Sequence, residues 1–239
     1  MSLGPDERGT ARSKRQLVAE NSFAVELRTP RAAAVAGIAF AVILTVVVVL
    51  LHLALPVGGD QSQWITQQAR RQKVAWALEL IPYAGIAFLW FIGVIRSQLG
   101  HREDKFFATA FLGSGLLFVA MLFASAANVG ALLSLYGGRS GVPADEVRLV
   151  GAVGTALLAT FGIRMAAVFT MVVTNLGRRS GIIPRWLLVV GYGAAAMLLF
   201  APPRTLWAVL LFPVWVFLLS VQILVASLRG EPSSEPRQP

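Results

Sequence analysis

The chain has 239 residues, 56% of them hydrophobic and 14% charged, where an ordinary soluble domain carries about 25% charged residues. Its net charge is +9, but most of the Lys and Arg lie just outside apolar runs and no basic surface is interleaved with aromatics, which argues for a membrane and against nucleic acid. It has no cysteine, which excludes disulfides, thiolate metal sites and a cysteine nucleophile.

About 30 mostly polar residues precede the first apolar run, and no small-residue cleavage site ends that run, so no signal peptide is expected. Residues 1–30 read as a basic, mostly disordered cytoplasmic tail. Within it "NSFAVELRTPR" has the makings of a short amphipathic turn, with Arg28 and Arg31 on lipid phosphates. Residues 31–228 form the transmembrane domain, and the polar, proline-rich 229–239 a second disordered tail.

The apolar runs have the length, roughly 20 residues, that crosses a hydrocarbon core as a helix. Six spans are predicted: Ala32–Leu55, Val74–Ile95, Phe106–Leu135, Val147–Leu176, Ile183–Ala201 and Thr205–Leu228. The fold class is therefore all-α, a polytopic transmembrane helical bundle. With both termini in the cytoplasm, 14 Lys and Arg fall inside and six outside, which is the bias that sets orientation in a plasma membrane. The first outer loop, with Arg70, Arg71 and Lys73, runs against that bias.

That loop, "GGDQSQWITQQARRQKVAW", has helical spacing after a possible cap at Asp60 or Ser62. It predicts a short interfacial helix running into span two, with Trp64 and Trp76 at the headgroup level. "LGHREDK" then reads as a cytoplasmic turn, with Gly100 closing one helix and Glu103 and Asp104 opening the next. Arg96, Arg102 and Lys105 around it would meet anionic headgroups at the cytoplasmic face.

Along span three, Gly113, Ala120, Ala124, Ala127, Ala131 and Ser134 recur at sevens, fours and threes. Such small-residue stripes let membrane helices approach closely, so span three is expected to be central and tightly packed along this face. "SGVPADEV" places Pro143 and two acids at the start of span four. "NLGRRSGIIPRW" ends that span at Gly177 and basic residues, and restarts at Pro184. Pro82 and Pro213 fall inside spans two and six and should kink them.

The stretches "LRTPRAAAVAGIAF", "GIAFLWFIGVIR", "EDKFFATAFLGSGLLFVAMLFA" and "RMAAVFTM" resemble blocks in a group of actinobacterial integral membrane proteins with six spans. The resemblance runs over most of residues 27 to 225. It implies the same fold and carries no activity, cofactor or catalytic residue with it.

Glu79 and Arg164 are the side chains of fixed charge well inside the spans. Each costs about 2.5–3.5 kcal/mol on insertion scales unless paired or wet. His52 and Glu79 are expected within roughly 8 Å of the outer edge. Arg164 starts deeper and leans outward toward Asn128, with Thr160 one turn before it; Tyr83 shares the Glu79 face at i+4. Either Glu79 and His52 face an outer vestibule while Arg164 bonds Asn128 or carbonyls freed by kinks, or the six residues form a polar pocket open to the outside that binds an anion or moves a proton. With two histidines and no cysteine, a haem or zinc site is not expected, and no phosphate-cradling G-x-x-x-x-G-K-[ST] loop is present. Neither an enzyme nor a cofactor is therefore expected. Two functions stay open. One is a non-catalytic accessory or structural subunit of a membrane complex or lipid-associated assembly. The other is a small-solute, ion or lipid carrier that uses the outer pocket. The first predicts a closed bundle with a flank for another membrane protein, the second a wet cavity around Glu79 and Arg164.

Overall fold

The computed structural model describes residues 31–55, 63–99, 105–139, 143–180, 183–200 and 206–229. The two tails, the caps proposed at Asp60 and Ser62 and the turn at 100–104 lie outside these residues. Every element described is helical: α1 (Arg31–Ala54), α2 (Gln63–Thr66), α3 (Gln68–Leu99), α4 (Lys105–Tyr136), α5 (Ala144–Thr155), a π-helical segment (Ala156–Gly162), α6 (Ile163–Ser180), α7 (Arg185–Phe200) and α8 (Leu206–Arg229). Helices close all their backbone hydrogen bonds within one segment, which a chain this apolar requires in lipid.

Among the described residues, five helical stretches are long and apolar enough to cross a membrane: α1, α3, α4, the continuous α5–π–α6 and α8. The remaining apolar helix, α7, has 16 residues, a length of about 24 Å at the helical rise. Helices α3 and α8 run without interruption through Pro82 and Pro213.

The bundle is organised around a cluster of phenylalanines drawn from α1, α3, α4, α6 and α8. Phe88 is its hub, with ring centroids 4.5 Å from Phe40, 5.5 Å from Phe118, 5.1 Å from Phe169, 5.6 Å from Phe212 and 6.1 Å from Phe91. Most of these pairs are tilted or edge-to-face, which suits the ring quadrupoles. Helix α4 packs against α3 on one side and α5, the π segment and α6 on the other; α7 joins α6 to α8. A smaller apolar cluster closes one end, where Trp64 and Ile65 of α2 pack with Ala54, Val74, Leu132 and Val147.

Glycines set the closest approaches. A Cβ at Gly37 would run into Ser220 and sit 2.8 Å from the Phe91 ring, so α1 meets α3 and α8 through bare backbone. Gly191 plays the same part for α7 against Thr174 and Trp215. This closeness leaves Ser220 Oγ buried without a hydrogen-bond partner among the described residues. Removing an unsatisfied buried hydroxyl is stabilising, so Ser220→Ala should gain about 1 kcal/mol, read as a higher unfolding midpoint in detergent.

The start of α5 follows the sequence reading. Pro143 takes the N-cap position with an extended backbone, and Asp145 and Glu146 occupy the first turn. The short helix before span two is also present, with a break at Gln67. Three expectations are corrected. Trp64 is 4% exposed and packs in the protein rather than at the headgroups, whereas Trp76 stays exposed. Helix α6 continues three residues past Gly177; that glycine serves as a seat for Ile183, whose side chain a Cβ would strike.

The third correction concerns span three. Ala120, Ala127, Ala131 and Ser134 are exposed, and Gly113 and Ala124 are half-buried, with open space where a Cβ on Gly113 would lie. The face that packs is instead lined by Phe111, Ser114, Phe118, Val119 and Leu122. The large rings fill the centre of the bundle, and the small residues are turned outward.

Candidate functional site

Thr160 and Arg164 sit at a local irregularity. Between α5 and α6 the helix widens into seven π-helical residues. Two contacts to α4 bracket the segment: Ser125 Oγ donates to the Gly154 carbonyl at 2.9 Å, and a Cβ at Gly162 would lie 3.3 Å from Met121 Cβ. The N–H of Ile163 bonds back to Leu158, five residues earlier, which is the π pattern.

A π turn displaces carbonyls from their ordinary α partners. Within this segment the Thr160 carbonyl accepts a 2.6 Å hydrogen bond from Arg164 Nη1. The guanidinium therefore folds back on its own helix instead of reaching Asn128. It is half-buried, on the face that also carries exposed Phe161 and Met171 three residues before and seven after. One of its five donors is used in this bond.

Asn128 is likewise satisfied within its own helix, with Nδ2 donating to the Ala124 carbonyl at 2.8 Å. Glu79 is exposed. It sits on an outward stripe of α3, spaced by threes and fours, with Trp76, Tyr83, Ile86 and Trp90, which are each more than half exposed. His52 is exposed between Val49 and Leu53 near the end of α1. Arg164 and the Thr160 main chain are thus the one pair among the six candidates joined by a hydrogen bond. Glu79, His52 and Tyr83 make neither hydrogen bonds nor ion pairs among the described residues. No group of three or more His, Asp or Glu able to hold a metal occurs among the described residues.

Two of the grooves among the described residues bear on the site. One, of about 230 Å³, lies between α1 and α8 over Thr45, Val46, Pro213 and Phe217, and is almost wholly apolar. The other, of about 440 Å³, lies where α3 begins and α4 ends, over Gln68, Arg71, Gln72, Ala75, Leu133 and Gly137, with polar and apolar walls in equal measure. None of the six candidate residues lines either one.

Sequence reasoning missed the π segment and the second groove. The first had a faint signal, since Gly154 and Gly162 bracket it. The second had a clearer one in the three cations that oppose the orientation rule.

No protein-family model, curated protein or solved structure matches the chain.

Proposed function

We propose that the protein is a six-span plasma-membrane protein with cytoplasmic termini that serves as a non-catalytic subunit, associating laterally with another membrane protein. Its resemblance to the actinobacterial group agrees with that topology. The observation that carries the reading is the placement of the charged groups. Glu79 lies on the exposed stripe of α3 and Arg164 is half-buried against its own helix, and neither belongs to the cluster of interlocking phenylalanines that fills the centre of the bundle. A carrier needs the opposite arrangement, with charge around a central cavity.

A membrane-facing charge costs about 2.5–3.5 kcal/mol unless it finds water, a headgroup or a partner. An opposite charge or a carbonyl on a neighbouring helix relieves that cost. The outward small-residue stripe of α4 supports the reading, since small residues let a second helix come close enough for dispersion contacts to hold it.

The test uses tagged full-length protein cross-linked in its native membrane and purified in mild detergent. Wild type should carry one partner in fixed proportion. Arg164→Met and Ala127→Leu should lose it while folding normally, because replacing an ionic group by an apolar one leaves no charge unpaired and Ala127 has room outside. Arg164→Met should change stability by no more than about 1 kcal/mol, the net worth of the one hydrogen bond it gives up. Wild type that is recovered alone, or variants that keep the partner in full, would overturn the proposal.

A further inference from the structure

The groove at the start of α3 has no part in that lateral association, and its chemistry is distinct. It lies at the end of the bundle that holds α2, the last turn of α4 and the first turn of α5. The carboxylates described at this end are both engaged: Asp145 pairs with Arg148 at 2.9 Å, and Glu146 accepts a hydrogen bond from the Tyr136 hydroxyl. Arg70, Arg71, Lys73 and Arg139 have no carboxylate partner among the described residues. Among the described residues, cations therefore outnumber carboxylates at this end of the bundle.

Arg71 differs from its neighbours in being held. Its side chain lies across the Gly137–Gly138 turn. A Cβ at Gly137 would come within 3.6 Å of its Cδ, and one at Gly138 within 2.9 Å of its Nη1. Gly138 has φ +81°, a conformation that favours glycine. The same Nη1 stands 3.5 Å from the Ile65 carbonyl, a weak bond that orients the guanidinium and leaves most of its donors unused. Beside it, Gln68 and Gln72 supply amide groups one turn apart, while Ala75 and Leu133 make an apolar wall.

We infer that this groove binds a phosphate group, held by the planar fork of Arg71 with Gln68 and Gln72 beside it. A guanidinium matches two phosphate oxygens at once, which suits a pre-oriented arginine better than a loose lysine. Arg70 and Lys73 add attraction at longer range. The phosphate has two possible sources. An anionic phospholipid would lay its glycerol and upper acyl carbons along Ala75 and Leu133; a soluble phosphate would use the polar rim alone.

The experiment uses the full-length protein in a neutral detergent. Native mass spectrometry and thermal unfolding are followed with added phosphatidylglycerol, phosphatidylcholine or inorganic phosphate. Binding of the anionic probe should weaken about fivefold in Arg71→Gln, the worth of one cation near an anionic lipid surface. Ala75→Trp, which fills the groove and spares the arginine, should weaken it as well and decides the matter if Arg71→Gln does not fold. Arg96→Gln, at the other end of α3 and outside the groove, should bind inorganic phosphate as wild type and lose less phosphatidylglycerol binding than Arg71→Gln does. Stabilisation by phosphatidylglycerol beyond that by equimolar inorganic phosphate identifies the lipid source; equal stabilisation identifies the soluble one. The inference is overturned if wild type binds neither probe, if the groove variants bind as wild type, or if Arg96→Gln loses as much as Arg71→Gln.

Discussion

Phe88→Ala should be the most damaging single truncation in the protein. The ring is fully buried and touches five others, four of them on four other helices. In a soluble core, Phe→Ala costs about 3–5 kcal/mol, part of it lost transfer from water and part the cavity left behind. Here the transfer part is small, because lipid tails are as apolar as the core. The cavity part remains, since rings locked edge-to-face against each other cannot collapse into the space. A loss of about 2–3 kcal/mol is expected, measured by unfolding in a denaturing detergent. Trp90→Ala, two residues along but 71% exposed, should cost less than about 0.5 kcal/mol. Equal losses at the two positions would mean that the phenylalanine cluster does not organise the fold.

Gly37→Leu should come next, through the opposite fault. Its Cβ would enter space already held by Ser220 and Phe91, both fully buried. Overpacking of this kind costs about 1–3 kcal/mol when neighbours can shift, and more when they cannot. Phe91 is itself stacked on Phe88 at 6.1 Å, so the strain passes into the same cluster. Gly93→Leu is the fair comparison, because a Cβ there meets nothing within 4 Å. It should be neutral or slightly stabilising, as glycine is a poor helix former. Thermal unfolding of the two variants in one detergent checks the pair; a Gly93 variant as unstable as the Gly37 variant would show that helix bulk, not contact, sets the response.

Much of the architecture was legible in one dimension. Runs of about 20 apolar residues need internal backbone hydrogen bonding in lipid, so their helical state follows from composition. Pro143 with Asp145 and Glu146 marks the start of α5 because these residues suit a helix N-terminus wherever they stand. The ion pair of Asp145 with Arg148, three residues apart, is equally local.

What the tertiary structure alone decided is which way each helix faces. In water, the apolar face of a helix names its buried side. In a membrane both sides are apolar, and the amphipathic cue is lost. The small residues of α4 therefore could not reveal that they point outward while Phe111, Phe118 and Leu122 point in. Rotation was settled by where large rings interlock and where Gly37 and Gly191 permit backbones to meet. The same rotation set Glu79 outside and turned Arg164 back onto Thr160. Charge content and approximate depth are properties of the chain; the direction a charge faces belongs to the packing.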